Sequence, residues 1–172
     1  MSETLHSAAA TVARWRSAEE RGDVEAAVAC LSPDVVLNSP LTDQFPFEGS
    51  DQLRDFLTVV FAAVKDVHYH TQTGEGDTYA LVYRARVGSQ SFEEVQMLRL
   101  DDQARITEIT LFGRPMPALT ALMHLMGPAL ARQQGRRGLA TLMSVSTVPI
   151  HAMVSSGDRS MVAKTRPAAR RT

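Results

Sequence analysis

The stretch that decides the fold is SFEEVQMLRLDDQARITEITLFGRP, residues 91–115. It reads as two strands joined by a tight turn. Phe92 to Leu100 forms the first, with Val95 and Met97 on one face and Gln96, Leu98 and Leu100 on the other. Asp101, Asp102 and Gln103 make a polar break of the kind that turns a hairpin. Ile106 to Phe112 forms the second strand. Strict alternation puts Ile106, Glu108, Thr110 and Phe112 on one face and Thr107, Ile109 and Leu111 on the other. Both faces carry apolar residues, which predicts a hairpin covered on both sides. Glu108 is a carboxylate among apolar neighbours, and so the first candidate for chemistry.

Upstream, Ala9, Val12, Ala13 and Arg16 recur at helical spacing around Trp15, and Gly22-Asp23 stops that helix. Asp23 caps a second, short helix over Val24 to Leu31. Val35 to Leu37 opens a short strand that ends at Ser39-Pro40, and Leu41 to Gly49 reads as a loop. Ser50 caps a third helix, in which Leu53, Phe56, Leu57, Val60, Phe61 and Val64 follow the i, i+3, i+4, i+7 pattern. Val67 to Thr73 and Tyr79 to Val87 are strands separated by the turn at Gly74–Asp77. Helix, helix, strand, helix and then four antiparallel strands predict an α+β fold, a curved sheet with helices on one side.

A chain of 172 residues with 44% apolar content can bury a sizeable core. The formal net charge of −1 hides an asymmetry. Residues 127–172 hold eight Lys and Arg against one acid, whereas residues 1–126 hold ten against eighteen. The single cysteine, Cys30, rules out an internal disulfide and multi-cysteine zinc patterns. No uncharged apolar run reaches ~18 residues, and no signal-peptide core opens the chain, so a soluble, cytoplasmic protein with no membrane partner is expected.

Three stretches carry a family resemblance: WRSAEERGDVEAAVACLSPDVVLNSP (15–40), FEGSDQLRDFL (47–57) and MLRLDDQARITEITLFGRP (97–115). They resemble the NTF2-like superfamily, in its SnoaL-like and ketosteroid isomerase branch, over roughly residues 8–117. The resemblance implies a cone: a curved, mostly antiparallel sheet wrapped around the N-terminal helices, enclosing an apolar pocket. It also implies where isomerase chemistry would sit. The family's aspartate base falls at Ser39, its first-helix tyrosine at Trp15, and its protonated aspartate, three residues before Arg99, at Gln96. All three differ. A serine does not shuttle protons at neutral pH as a carboxylate does. Ketosteroid isomerisation is therefore not expected, while the pocket is.

Within that implied pocket, Glu108 is the candidate catalytic group, since a carboxylate in apolar surroundings has a raised pKa. The competing reading pairs it with Arg84, Arg86 or Arg114 at the sheet surface. Trp15, Ser39, Phe61, Tyr69, Tyr83, Gln96 and Phe112 are the expected lining. His68 and His70 share a strand face but lack a third ligand nearby in sequence, so no metal is expected. Ser39 lacks a G-x-S-x-G elbow, and the isolated glycines form no phosphate cradle, so no cofactor is expected either.

Past the hairpin, Leu119, Leu122, Met123, Met126 and Leu130 stripe a further helix that could cap the cone or pair with a second subunit. The reading divides the chain into a SnoaL-like domain, 1–132, and a basic, partly disordered extension, 133–172. The tail lacks the interleaved aromatics that nucleic-acid binding favours. Val82, Ile109 and Leu111 are assigned to the outer sheet face, beside Arg84 and Arg86, which predicts a homodimer through that face. Two functions remain. One is a cofactor-free acid/base isomerase, cyclase or hydrolase acting on a small hydrophobic molecule. The other is a non-catalytic ligand-binding or dimerisation module.

Overall fold

The computed structural model describes residues 7–165. Helix α1 (Ala8–Arg21) starts at Ser7, whose hydroxyl accepts from the Ala10 N–H at 3.2 Å. It ends at Gly22, whose φ of 65° is the left-handed conformation a non-glycine residue resists. The buried stripe of α1 is Thr11, Val12, Trp15, Ala18 and Glu19. This is rotated from the expected one, leaving Ala9 and Ala13 exposed. Helix α2 (Val24–Val28) is capped by Asp23, which accepts from the Ala26 N–H at 3.0 Å.

Strand β1 (Leu31–Asn38) is followed by the short β2 (Phe47–Glu48), inside the stretch read as loop, and then by α3 (Ser50–Ala63). Strands β3 (Val64–Glu75), β4 (Thr78–Val87), β5 (Gln90–Leu100) and β6 (Ile106–Arg114) complete one six-stranded sheet. Its order is β2-β1-β6-β5-β4-β3. Only β1 against β6 runs parallel. The sheet is curved and does not close, and α1, α3 and a fourth helix, α4 (Met116–Gln133), pack on its inner face, giving the expected α+β cone.

The central hairpin forms where expected, but its second strand does not alternate strictly. Asp101 anchors the turn by accepting from the N–H groups of Gln103 (2.9 Å) and Arg105 (2.8 Å). Arg99 pairs with Glu108 and Leu100 with Ile106, so Thr107 has no partner and forms a bulge. One extra residue flips every later side chain to the other face. Ile106, Ile109 and Leu111 therefore all point into the core, and Glu108, Thr110 and Phe112 point outward. Ile109 and Leu111 are thus not outer-face residues.

Helix α4 (Met116–Gln133) buries Leu122 and Met126 against the sheet. Helix α5 (Arg137–Ser160) returns beside it, and the antiparallel pairing shows in two contacts. Thr120 Oγ1 lies 3.0 Å from His151 Nδ1, and Thr147 Oγ1 lies 2.8 Å from His124 Nδ1. The extension is therefore helical through Ser160, where disorder was expected from residue 155; residues 166–172 lie outside the described residues. By length and composition alone α5 is long and apolar enough to cross a membrane, and one side of it packs on α4.

Candidate active site

The last turns of α1 bring Trp15 and Glu19 to the inner face of the sheet. Strand β5 alternates without interruption, so Phe92, Glu94, Gln96 and Leu98 all point inward. Tyr69 comes from β3 and Tyr83 from β4. These side chains form one buried polar cluster. Gln96 Oε1 accepts from the Trp15 indole N–H at 2.9 Å and from the Tyr69 hydroxyl at 3.0 Å. Gln96 Nε2 donates to Glu19 Oε1 at 3.1 Å, and Tyr69 also hydrogen-bonds Glu19 Oε2. The Tyr83 hydroxyl donates to Glu94 Oε1 at 2.8 Å.

The proton inventory says how Glu19 is ionised. Tyr69 has one hydroxyl proton, and Gln96 Oε1 can only accept. If Tyr69 donates to Gln96, its contact with Glu19 Oε2 needs a proton on the carboxyl. Burial raises the Glu19 pKa to about 8, and the nearby carboxylates of Glu94 and Glu20 add to the rise, while the Gln96 bond opposes it. Glu19 also sits in the last turn of α1, where the helix dipole disfavours negative charge. Glu94 rises to about 7 through burial, opposed by its bonds to Tyr83 and Gln96. Burial and the Glu94 charge push the Tyr83 phenol well above its ordinary range.

Both carboxyls line a cavity of about 40 Å³ together with Trp15, Ser39, Tyr83 and Gln96. Its remaining walls are apolar, from Leu37, Phe56, Ile109 and Leu111 to Leu122 and Met126 of α4. That volume is the size of a few waters.

Of the residues expected at a pocket, Trp15, Ser39, Tyr83 and Gln96 line this cavity. Tyr69 is bonded to its polar cluster, and Phe61 packs against the core nearby without lining it. Phe112 is 57% exposed on the outer face. Glu108 is outside as well, its side chain 41% exposed and its Oε2 3.5 Å from Arg99 Nε. Its Oε1 accepts from Asn38 at 3.3 Å and Thr110 at 3.4 Å. The dry, cavity-facing carboxylate expected at Glu108 is supplied instead by Glu19 and Glu94, neither of which was singled out in the sequence. His68 and His70 are exposed on β3, with His70 Nε2 3.4 Å from Glu93. Among the described residues no group of three or more metal-ligating side chains converges.

A curved sheet around helices, with a small acid-lined cavity at its centre, defines an NTF2-like cone. Comparison with known proteins makes the assignment specific. Residues 12–109 match the SnoaL-like domain, and the chain belongs to that family. It is similar to a steroid delta-isomerase from Pseudomonas aeruginosa, with 34% identity and a TM-score of 0.68, over 74% of this chain and 94% of that one. A protein with a cystatin-like fold from Silicibacter pomeroyi aligns at 24% identity and a TM-score of 0.69, over 80% and 96% of the two chains. An NTF2-like protein from Cytophaga hutchinsonii aligns at 18% identity and a TM-score of 0.56, over 67% and 96%. These last two likenesses bear on the fold alone. Among curated proteins nothing matches the chain.

Proposed function

We propose that this protein moves protons on a small hydrophobic carbonyl compound, without a cofactor, as a SnoaL-like isomerase, cyclase or hydrolase. One observation carries the reading: two buried carboxyls, Glu19 and Glu94, face the same apolar cavity with pKa values raised to about 8 and about 7. A general acid or base works best when its pKa lies near the working pH. Glu94 meets that condition and is oriented by the Tyr83 hydroxyl. Its carboxylate would take a proton from the carbon beside a carbonyl, and the acid so formed would return it at another position. Glu19, neutral up to about pH 8, keeps a second negative charge out of the cavity while Glu94 ionises.

The test is exchange of the α-protons of 2-butanone into D₂O, followed by NMR. Wild type is expected to accelerate exchange with a pH dependence centred near 7, and Glu94→Gln is expected to abolish it. Exchange that persists unchanged in Glu94→Gln would remove Glu94 from this role. The second reading, a binding module without catalysis, is favoured by Ser39, Trp15 and Gln96, which replace the isomerase groups at the positions the resemblance indicates. It predicts ketone binding with no exchange.

Association belongs to the same proposal, on a corrected surface. The outer face aligns Val82, Val95 and Phe112 in one cross-strand row and Ala80 with Met97 in the next. Phe112 is 57% and Met97 37% exposed. A row of Arg84, Glu93 and Arg114 borders them. A second copy related by a two-fold axis would cover this apolar patch.

A further inference from the structure

Among the described residues thirteen large hydrophobic side chains are exposed, and eight of them lie between residues 139 and 162, on α5 and the turn that follows it. The periodicity of α5 explains why. Its buried residues are Ala140, Thr147 and Ser155, and Thr147 and His151 hydrogen-bond across to α4. The opposite side carries Leu142, Val145, Pro149 and Met153, spaced three and four apart in one outward stripe. Leu142 is 64%, Val145 68% and Met153 70% exposed. Small and polar residues thus face the protein and apolar ones face water, the reverse of an ordinary surface helix. Charge is arranged around the same stripe. Residues 138–157 contain no Asp, Glu, Lys or Arg. Exposed Arg132, Arg136 and Arg137 precede that span and exposed Arg159 and Lys164 follow it, with Asp158 the one acid from residue 127 onward.

We propose that the outer face of α5 is a docking surface for an anionic lipid bilayer, with the helix lying in the plane of the interface. The proposal stands apart from the catalytic reading, and it departs from the expectation of a protein with no membrane partner. The side of α5 that packs on α4 decides between lying and crossing. A crossing helix would have to leave α4 and carry Ser144, Thr147, His151 and Ser155 into hydrocarbon, with their protein partners lost. A helix lying flat keeps those groups on α4 and turns only the apolar stripe to the acyl boundary. The basic residues at its two ends then reach the headgroup phosphates, their stems running along the apolar surface. Charge also decides against a second copy as the occupant. Both ends of α5 are basic, so two copies laid side by side bring like charges together whether they run parallel or antiparallel.

The experiment floats full-length protein with vesicles of phosphatidylcholine containing phosphatidylserine, and with vesicles of phosphatidylcholine alone. Wild type is expected to float with the anionic vesicles, to remain largely in solution with the neutral ones, and to be released by added salt. Arg136→Gln and Arg137→Gln are each expected to weaken binding roughly five-fold, the effect of one basic residue near an anionic surface. Leu142→Glu with Met153→Glu, both at exposed positions, is expected to abolish flotation. Leu142→Trp is expected to tighten binding and to add a tryptophan emission, absent from wild type, that shifts to the blue on mixing with anionic vesicles; a misfolded variant does not gain affinity in this way. Wild type that stays in solution with anionic vesicles would overturn the proposal. Equal binding to both kinds of vesicle, flotation unchanged in the double variant, or no blue shift in Leu142→Trp would do the same. Self-association in light scattering that the double variant abolishes, without vesicle binding, would assign the face to a second copy and overturn it as well.

Discussion

Replacing Glu19 by glutamine should leave the protein about as stable as wild type in acid and make it more stable in alkali. The side chain is 7% exposed and has the shape of glutamine, and its neutral form is the one the site accommodates. Glutamine can accept from Gln96 Nε2, and its amide can donate to the Tyr69 oxygen when the Tyr69 proton goes to Gln96. Below pH 4.5, folded and unfolded wild type both carry the proton, and its contribution to stability is complete. Between 4.5 and about 8 the unfolded chain ionises and the folded chain does not, so stability falls as pH rises. At 1.36 kcal/mol per pKa unit, a rise from 4.5 to about 8 corresponds to a loss of ~5 kcal/mol by pH 9. Glu94 adds a loss of the same sign between 4.5 and about 7, which the variant retains. The assay is urea unfolding of both proteins from pH 5 to 9, read by Trp15 fluorescence. The variant should match wild type within ~1 kcal/mol at pH 5, since one buried hydrogen bond is exchanged for another, and exceed it by several kcal/mol at pH 9. Parallel curves across that range would show that Glu19 ionises normally and that the cluster does not hold it neutral.

Two further outcomes are expected. Phe112→Glu on the outer face should convert a dimer to a monomer in light scattering at micromolar concentration, with the fold intact because Phe112 is 57% exposed; a wild type that is already monomeric would refute the sheet-to-sheet association. A 3-oxo-Δ5-steroid should not be isomerised appreciably, because Ser39 occupies the position that the resemblance gives to the aspartate base. Robust isomerisation lost on Ser39→Ala would show that the correspondence or the mechanism is wrong.

How far the sequence could be read depended on whether periodicity ran without interruption. The helix stop at Gly22-Asp23, the strand ending before Ser39 and the central hairpin carry local chemical signals, and all appear in the structure. The structure also joins Trp15 to Gln96, two residues that the resemblance placed separately in the pocket. Glu94 was within reach of the same reading. Carrying the inward set Gln96, Leu98 and Leu100 two residues back along β5 places Glu94 in the core. Glu19 follows Trp15 by four residues, one helical turn, and Trp15 was already assigned to the pocket. Glu108 went astray for a specific reason: alternation was carried unbroken from Ile106 through a bulge at Thr107.

That bulge left its own trace, in aliphatic residues spaced three and then two apart at Ile106, Ile109 and Leu111. An inward carboxylate at Glu108 would have required two of those three to face solvent. Burying aliphatic side chains is favourable by ~1.5–3 kcal/mol each, whereas an extra residue in an antiparallel pair is a common local adjustment. On that balance the bulge is the lower-energy solution. The same balance explains why Glu19 and Glu94 stand apart from the other acids. Each is fixed at an inward position by apolar neighbours in its own element, Ala18 and Trp15 for one and Phe92 and Leu98 for the other. Burial of the carboxyl is thus imposed by the surrounding core, and it is this imposed burial that sets the two pKa values near neutrality.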